Sequence, residues 1–395
     1  MAKERISVIL KSGKDQSLRR FHPWIFSGAI KKMSGDPAEG DVVAIYDNKD
    51  EFLALGHYQV GSIAIRVFSF EDITPDYTFW KEKLLHAYQL RKELGLAGSE
   101  HTNVYRLFHG EGDGIPGLII DYYNGTAVMQ IHSIGAYQVR NMLVDILKEI
   151  YGDELKSIYD KSESTIPFKS AVKGKNEHLL GNNKFDVVKE NGLNFEVNWT
   201  EGQKTGFFID QRENRKLLQS FSNGRQVLNM FCYTGGFSVY ALQGGASLVH
   251  SVDSSEKAVE LVNKNVALNF ENANHEAFAV DAFKYLEDIK DKYDLIILDP
   301  PAFAKHQDAL HNALQGYKRL NQKAFEQIKP GGILFTFSCS QVVSKENFRK
   351  SVFAAAANAR RNVRILYQLT QPADHPVNIY HPEGEYLKGL VLFVE

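Results

Sequence analysis

The chain has 395 residues, 44% of them hydrophobic and 24% charged, with a formal net charge of −2. That length exceeds one ordinary core and predicts two or three domains, and the near-neutral balance does not by itself announce a nucleic-acid partner. No stretch approaches the ~18 apolar residues of a membrane-spanning helix, and the two cysteines, Cys232 and Cys339, argue against a disulfide framework or a four-ligand zinc site. No metal site is expected. The polar start, Met1-Ala2-Lys3-Glu4-Arg5, lacks the apolar core of a signal peptide, so a reduced, cytoplasmic setting is expected.

Residues 1–72 read as short strands. The first 32 residues are basic, with Lys3, Arg5, Lys11, Lys14, Arg19, Arg20, Lys31 and Lys32 against Glu4 and Asp15. Such a patch can neutralise phosphates or be a solvated surface. Runs at 41–46 and 52–58 flank the polar turn Asp47-Asn48-Lys49-Asp50, as in a hairpin, and 62–68 is a third strand. From Phe79 to Leu94 apolar residues recur at helical spacing. Gly110-Glu111-Gly112-Asp113-Gly114-Ile115-Pro116-Gly117 reads as a tight glycine-rich loop. Strands then flank Asn124-Gly125, a helix covers roughly 136–150, and the polar, lysine-rich 161–183 is expected to be a mobile connection. Asn191-Gly192 between two alternating runs predicts a hairpin.

Beyond residue 200 apolar strands alternate with amphipathic helices. The predicted strands are 226–231, 248–252, 277–280, 294–298, 332–337, 363–369 and 388–394, which implies a mostly parallel sheet with helices on both faces.

Several of these strands end in chemistry. After the first comes Phe231-Cys232-Tyr233-Thr234-Gly235-Gly236, where paired glycines let the backbone approach a ligand. The three-glycine dinucleotide fingerprint is absent, which counts against a dehydrogenase. Asp253, followed by Ser254, ends the second strand about twenty residues on, where a carboxylate can accept from ribose hydroxyls. Asp281-Ala282 ends the third, where an adenine edge could be met, and Asp299-Pro300-Pro301 ends the fourth. Each acid alone reads more readily as a helix N-cap. In order, they resemble the class I S-adenosylmethionine-dependent methyltransferases, whose sheet carries an antiparallel last strand. Arg212 could face a methionine carboxylate, or head a helix capped by Asp210. The cofactor set expected from these turns is Phe208, Asp210, Gln211, Arg212, Phe231, Tyr233, Thr234, Gly235, Gly236, Asp253, Ser254, Asp281, Ala282, Asp299 and Pro300.

The fifth strand ends in Phe337-Ser338-Cys339-Ser340, a thiol in a polar turn. C5 of cytosine is a poor nucleophile until a thiolate adds to C6. That reaction needs a cysteine, a partner at N3 and N4, a base and a positioned methyl donor. Cys339 can supply the first and Asp299 the second. A free cysteine is also at home as a small buried hydrophobe, and Cys232 reads better that way.

Lys204 to Arg212, Phe231 to Gly236, Asp299 to Phe303, Phe337 to Ser340, Ala373-Asp374-His375-Pro376 and Pro382 to Gly389 together resemble the RlmI family of 23S ribosomal RNA 5-methylcytosine methyltransferases. His22-Pro23-Trp24-Ile25-Phe26-Ser27-Gly28 and Gly110 to Gly117 extend the resemblance over essentially the whole chain. It implies an α/β protein: a PUA-like RNA-binding β-barrel at 1–72, a small central α+β domain at 73–190, and a seven-stranded Rossmann-like methyltransferase domain at 191–395. It further implies S-adenosylmethionine as cofactor, 23S ribosomal RNA as partner, a homodimer as a family-level expectation, and Cys339 as the nucleophile. No second cysteine follows Asp299-Pro300-Pro301, so product release would use another base, Asp299 or water. The target base would be extruded, with Phe303 a stacking surface or simply loop packing. Arg19, Arg20 and His22 are the candidate phosphate contacts. The alternatives are a base-nitrogen methyltransferase, disfavoured because Ala302 separates the second proline from the aromatic, a small-molecule methyltransferase, and a non-catalytic ribosome-assembly factor on the same scaffold.

Overall fold

The structure is a computed structural model that describes residues 5–167, 170 and 172–395. Lys3 and Glu4 of the basic segment therefore lie outside the described residues, as do residues 168, 169 and 171 of the lysine-rich one. The chain divides into two compact units, one of residues 1–188, 197–207 and 373–384, the other of 189–196, 208–372 and 385–395.

In the first unit, a six-stranded sheet is built from strands between Ile6 and Ser69. Its core is Val8, Leu10, Ile25, Val43, Ile45, Ala54, Ile65 and Val67. A five-stranded sheet follows, from Val104–His109 to Asn176–Leu180, and the helices Tyr77–Glu93 and Arg140–Tyr151 belong to the same core as its apolar face. Both Asn-Gly turns have the left-handed pair that a two-residue hairpin needs: Asn124 and Gly125 at φ 45° and 92°, Asn191 and Gly192 at 50° and 83°.

Two expectations change. The segment 161–183 is not simply a connection, because Asn176–Leu180 is a strand paired antiparallel to Ser157–Lys161. Its polarity is that of an outer strand, where Arg140 bonds Asp160 and Glu177. The glycine-rich loop begins as a helical turn, Gly110–Asp113. Asp113 explains it: its carboxylate accepts from the His109 amide and, bidentate, from buried Arg91 at 2.7 Å. Arg91 also donates to the Asp374 carbonyl, and the Asp374 carboxylate accepts from the Arg106 amide. A Cβ on Gly112 would lie 2.0 Å from the Pro376 carbonyl oxygen. The glycine-rich and Asp-His-Pro phrases are thus two halves of one packed contact.

In the second unit, seven strands form one sheet, labelled here β1 (Gln226–Met230), β2 (Leu248–Asp253), β3 (His275–Ala279), β4 (Leu295–Leu298), β5 (Gly332–Ser338), β6 (Val363–Leu369) and β7 (Lys388–Val394). The spatial order is β3-β2-β1-β4-β5-β7-β6. The first five are parallel, and β7 runs antiparallel between β5 and β6. β1, β4 and β5 are almost wholly buried, which is why they read as apolar runs rather than alternations. Two apolar clusters account for this, one containing Leu228, Ile296 and Leu334, the other Val227, Ile297 and Phe335. The order reverses at β1 and β4, so a crevice opens at the carboxyl ends of those strands, where ligands bind open α/β sheets.

Candidate active site at the strand ends

The turn after β1 is shaped by backbone conformation. Phe231, Tyr233 and Gly235 are all left-handed, at φ 58°, 44° and 76°. Gly235 is needed there twice over, since a Cβ would also stand 2.9 Å from Val262. The other two hold a conformation that side chains disfavour. The turn is braced by the Gly235 amide on the Cys232 carbonyl at 2.7 Å and by Asn265 on the Thr234 carbonyl at 2.8 Å. The Tyr233 amide donates to Asp253 at 3.1 Å, and Phe208 meets the Tyr233 ring edge-on at 5.1 Å. Asp253 is not the cap of the following helix; Ser255 is. Asp281 does cap the short helix Ala282–Tyr285 and is exposed. Cys232 is buried, and its thiol is pushed well up by that burial first and by Asp253 second.

The segment before β1 supplies a chain of buried polar groups. Asn214 donates to Gln211 at 2.6 Å, and Gln211 donates to Asp299 at 3.0 Å. Arg215 is paired with Glu190 and donates to the Phe208 carbonyl at 2.9 Å. Arg212 is buried, and its Nε donates to the neighbouring Glu213 at 3.2 Å. Asp210 does not cap the helix Arg212–Phe221, whose N-cap is Gln211 without a side-chain bond. Instead Asp210 accepts from the Tyr386 hydroxyl at 2.8 Å, and its other oxygen, Oδ1, is buried without a partner.

Cys339 and Asp299 come together at the ends of neighbouring strands, the thiol 4.0 Å from the Pro300 carbonyl. The Asp299 carboxyl is pushed up to about 7, mainly by burial and then by Asp210. The Cys339 thiol is pushed up to about 12 by burial, then by Asp299 and Asp210. Ser340 ties the two loops together: its hydroxyl donates to the Ala304 carbonyl at 3.0 Å and accepts from the Ala304 amide at 3.2 Å. Phe303 packs on Tyr317 at 4.6 Å, over Gly316 of the helix Leu310–Gln327, and stays half-buried. Its packing role is therefore realised.

The proposed phosphate contacts fare unevenly. Arg19 is partly exposed and ion-paired to Asp15, Asp47 and Glu51 at 2.7–2.8 Å. His22 faces Glu383 at 3.5 Å. Arg20 is exposed. Sequence reasoning assigned no role to Tyr386, Asn214, Tyr317 or Lys388. Tyr386 and Lys388 sit inside a quoted phrase, Pro382 to Gly389, but that phrase shows no spacing that points to this cleft.

A family model for S-adenosylmethionine-dependent methyltransferases matches residues 106–377, and one for PUA-like domains matches residues 8–70. The ribosomal RNA large subunit methyltransferase I of Aeromonas hydrophila is 40% identical over 395 residues, covering 98% of each chain. That of Tolumonas auensis is 42% identical, again over 98% of each. The chain belongs to the ribosomal RNA large subunit methyltransferase I family. Among solved structures, a SAM-dependent methyltransferase from Streptococcus mutans is 25% identical with a TM-score of 0.83, covering 98% of this chain and 100% of that one. A methyltransferase crystallised with SAH reaches 0.85 at the same identity and coverage.

The family's cofactor is S-adenosylmethionine, and the strand-end residues fit it. The left-handed turn brings bare backbone to the crevice, Asp253 keeps lone pairs beyond its two amide bonds, and the unpartnered Asp210 oxygen has spare acceptor capacity. Among the described residues, no group of three or more His, Cys, Asp or Glu could hold a metal, and no helix is long and apolar enough to cross a membrane.

Proposed function

We propose that this protein methylates C5 of a cytosine in large-subunit ribosomal RNA through a covalent bond between Cys339 and C6, working in the cytoplasm. The observation that carries the reading is the thiol of Cys339 beside the Asp299-Pro300 strand end. The cofactor contacts are Asp253 at the ribose, the turn 231–236 against the nucleoside, and Asp210 and Arg212 toward the methionine end. When bound, the cofactor supplies an electrophilic sulfonium methyl.

The chain's own residues do the rest. Asp299 is half-protonated near neutrality. Its protonated form donates to N3 as sulfur adds to C6, the C5–C6 π pair shifting toward C4 and the N3 lone pair taking the proton. C5, now enamine-like, would take the methyl group as the methyl–sulfonium bond breaks, that bond's electron pair staying on the departing thioether. Loss of the C5 proton to water or to the Asp299 carboxylate re-forms the C5–C6 double bond and expels sulfur, and N3 gives up the proton it took to whichever of the two acceptors is left. The base must leave its stack to reach Cys339.

Bisulfite mapping of ribosomal RNA from cells with and without the gene tests this. One C5-methylcytosine that disappears without the protein is expected. An unchanged map defeats it. Retained methyl transfer by Cys339→Ala would favour chemistry on a base nitrogen instead.

A further inference from the structure

Lys388 stands directly opposite Ser338 in the antiparallel register of β7 with β5. Its Nζ donates to the Ser340 carbonyl at 2.6 Å. These two relations place Lys388 beside the turn that carries Cys339. The lysine is 4% exposed, rare for an ammonium whose bonded acceptor is a neutral carbonyl. Glu385, the acid that acts on it, is ion-paired to Lys345. Holding a charge here without a direct carboxylate partner costs stability, so the position asks for a reason beyond packing.

The neighbours of the thiol supply one. Asp299 and Asp210 both oppose a negative sulfur, and Lys388 is the cation that favours it. We propose that Lys388 is the charge partner of the Cys339 thiolate, its ammonium offsetting Asp299 and Asp210 behind the turn and setting how readily the sulfur ionises. The proposal rests on Cys339 being the nucleophile. Lys388 acts through Cys339 and is a positioning residue. On ionisation the thiol proton leaves to water and the positive charge stays on the lysine. Burial lowers the Lys388 ammonium to about 8, with Lys345 also opposing it and Cys339 and Glu385 favouring it. The cation is therefore present below that pH and fades above it.

The test is alkylation of Cys339 by iodoacetamide in the full-length protein, read on the Cys339 peptide by mass spectrometry from about pH 7 to about pH 9.5, since only the thiolate reacts. Lys388→Met is expected to alkylate about tenfold more slowly than wild type at about pH 7, where the lysine is charged, one unit of thiol pKa. Lys388→Arg is expected to match wild type there and to keep its advantage above about pH 8, where the guanidinium stays charged. Wild-type alkylation rates in Lys388→Met would overturn the proposal. Should that variant fail to fold, a Lys388→Arg profile that coincides with wild type above about pH 8 overturns it instead, because a merely structural lysine predicts no divergence there. The alkylation readout needs no RNA, so it stands apart from the nucleophile reading, which falls if Cys339→Ala retains methyl transfer.

Discussion

The turn at the carboxyl end of β1 and those at the ends of β4 and β5 differ in how they are built. At the cofactor turn, Phe231, Tyr233 and Gly235 hold left-handed backbone, braced by one main-chain bond and by the side chains of Asp253 and Asn265. At the thiol turn, none of residues 299–304 or 338–340 is left-handed, and the loops are joined through side chains: Ser340 to Ala304, Lys388 to Ser340, Gln211 to Asp299. The first region stores backbone strain, about 1–3 kcal/mol for each non-glycine residue. The second stores charge in a desolvated setting. A turn made of backbone should be sensitive to added bulk and indifferent to pH. A turn made of buried titratable groups should be the reverse.

The largest effect expected is from Cys339→Ala. If sulfur forms the bond to C6, its loss lowers single-turnover methyl transfer by at least about four orders of magnitude, the scale seen when a nucleophile is deleted. Cofactor affinity by calorimetry should be unchanged, since the cofactor turn does not use the thiol. A matching loss of cofactor binding would collapse the distinction between the two regions.

Asp299→Asn comes next and separates activity from stability. Methyl transfer should fall by about 10²–10⁴, the usual worth of a positioned acid. Stability should move the other way, and only at higher pH. The folded-state pKa of Asp299 is raised to about 7 from an ordinary 3.8. A raised pKa means that the folded state binds the proton more tightly, so Asp299 is best tolerated below about pH 4 and its cost grows until about pH 7. The ceiling is about 4 kcal/mol, from ~1.4 kcal/mol per pKa unit, and solvent at a half-buried carboxyl trims it. Thermal melts without cofactor should show Asp299→Asn gaining on wild type between about pH 4 and about pH 8. A constant offset would mean that the carboxyl is not desolvated.

Gly235→Ala probes the cofactor turn. The left-handed backbone and the 2.9 Å approach to Val262 both oppose a methyl group, at a joint cost of about 1–3 kcal/mol. The melting temperature should fall equally at low and high pH, and cofactor affinity should fall with it. A pH-dependent loss would contradict a turn held by backbone.

How much of this was legible follows the same division. The seven strands of the C-terminal sheet could be read to within two residues, most plainly β1, β4, β5 and β7, which are buried apolar runs, whereas the edge strands β3 and β6 are partly exposed. The strand-end positions of Asp253, Asp299 and Cys339 could be read because each closes or directly follows a strand. Phe231 and Tyr233 could not be read as left-handed, since nothing in a phenylalanine or tyrosine signals that conformation. Lys388 and Tyr386 are invisible for another reason: β7 reaches β5 only by a long-range antiparallel return, with 48 residues between Lys388 and Ser340. Arg19 is a related case. Its basic neighbourhood is local, but Asp47 and Glu51, which hold it, arrive about thirty residues later from a hairpin turn.

The smallest effect expected is from Tyr386→Phe, and it bears on which oxygen of Asp210 matters. The Tyr386 hydroxyl occupies Oδ2 and leaves Oδ1 unpartnered. Removing the hydroxyl strips a bond from a half-buried carboxylate and should cost about 1 kcal/mol of stability, the low end for an acceptor left unsatisfied. It leaves Oδ1 in place, so cofactor affinity should change by less than about threefold, under 1 kcal/mol. Asp210→Asn alters both oxygens at once and, if Oδ1 is the cofactor contact, should weaken binding by about tenfold or more, the worth of a charged hydrogen bond. Equal losses in the two variants by calorimetry would mean that Asp210 matters through its orientation by Tyr386. The cofactor side would then depend on side-chain ties as the thiol side does.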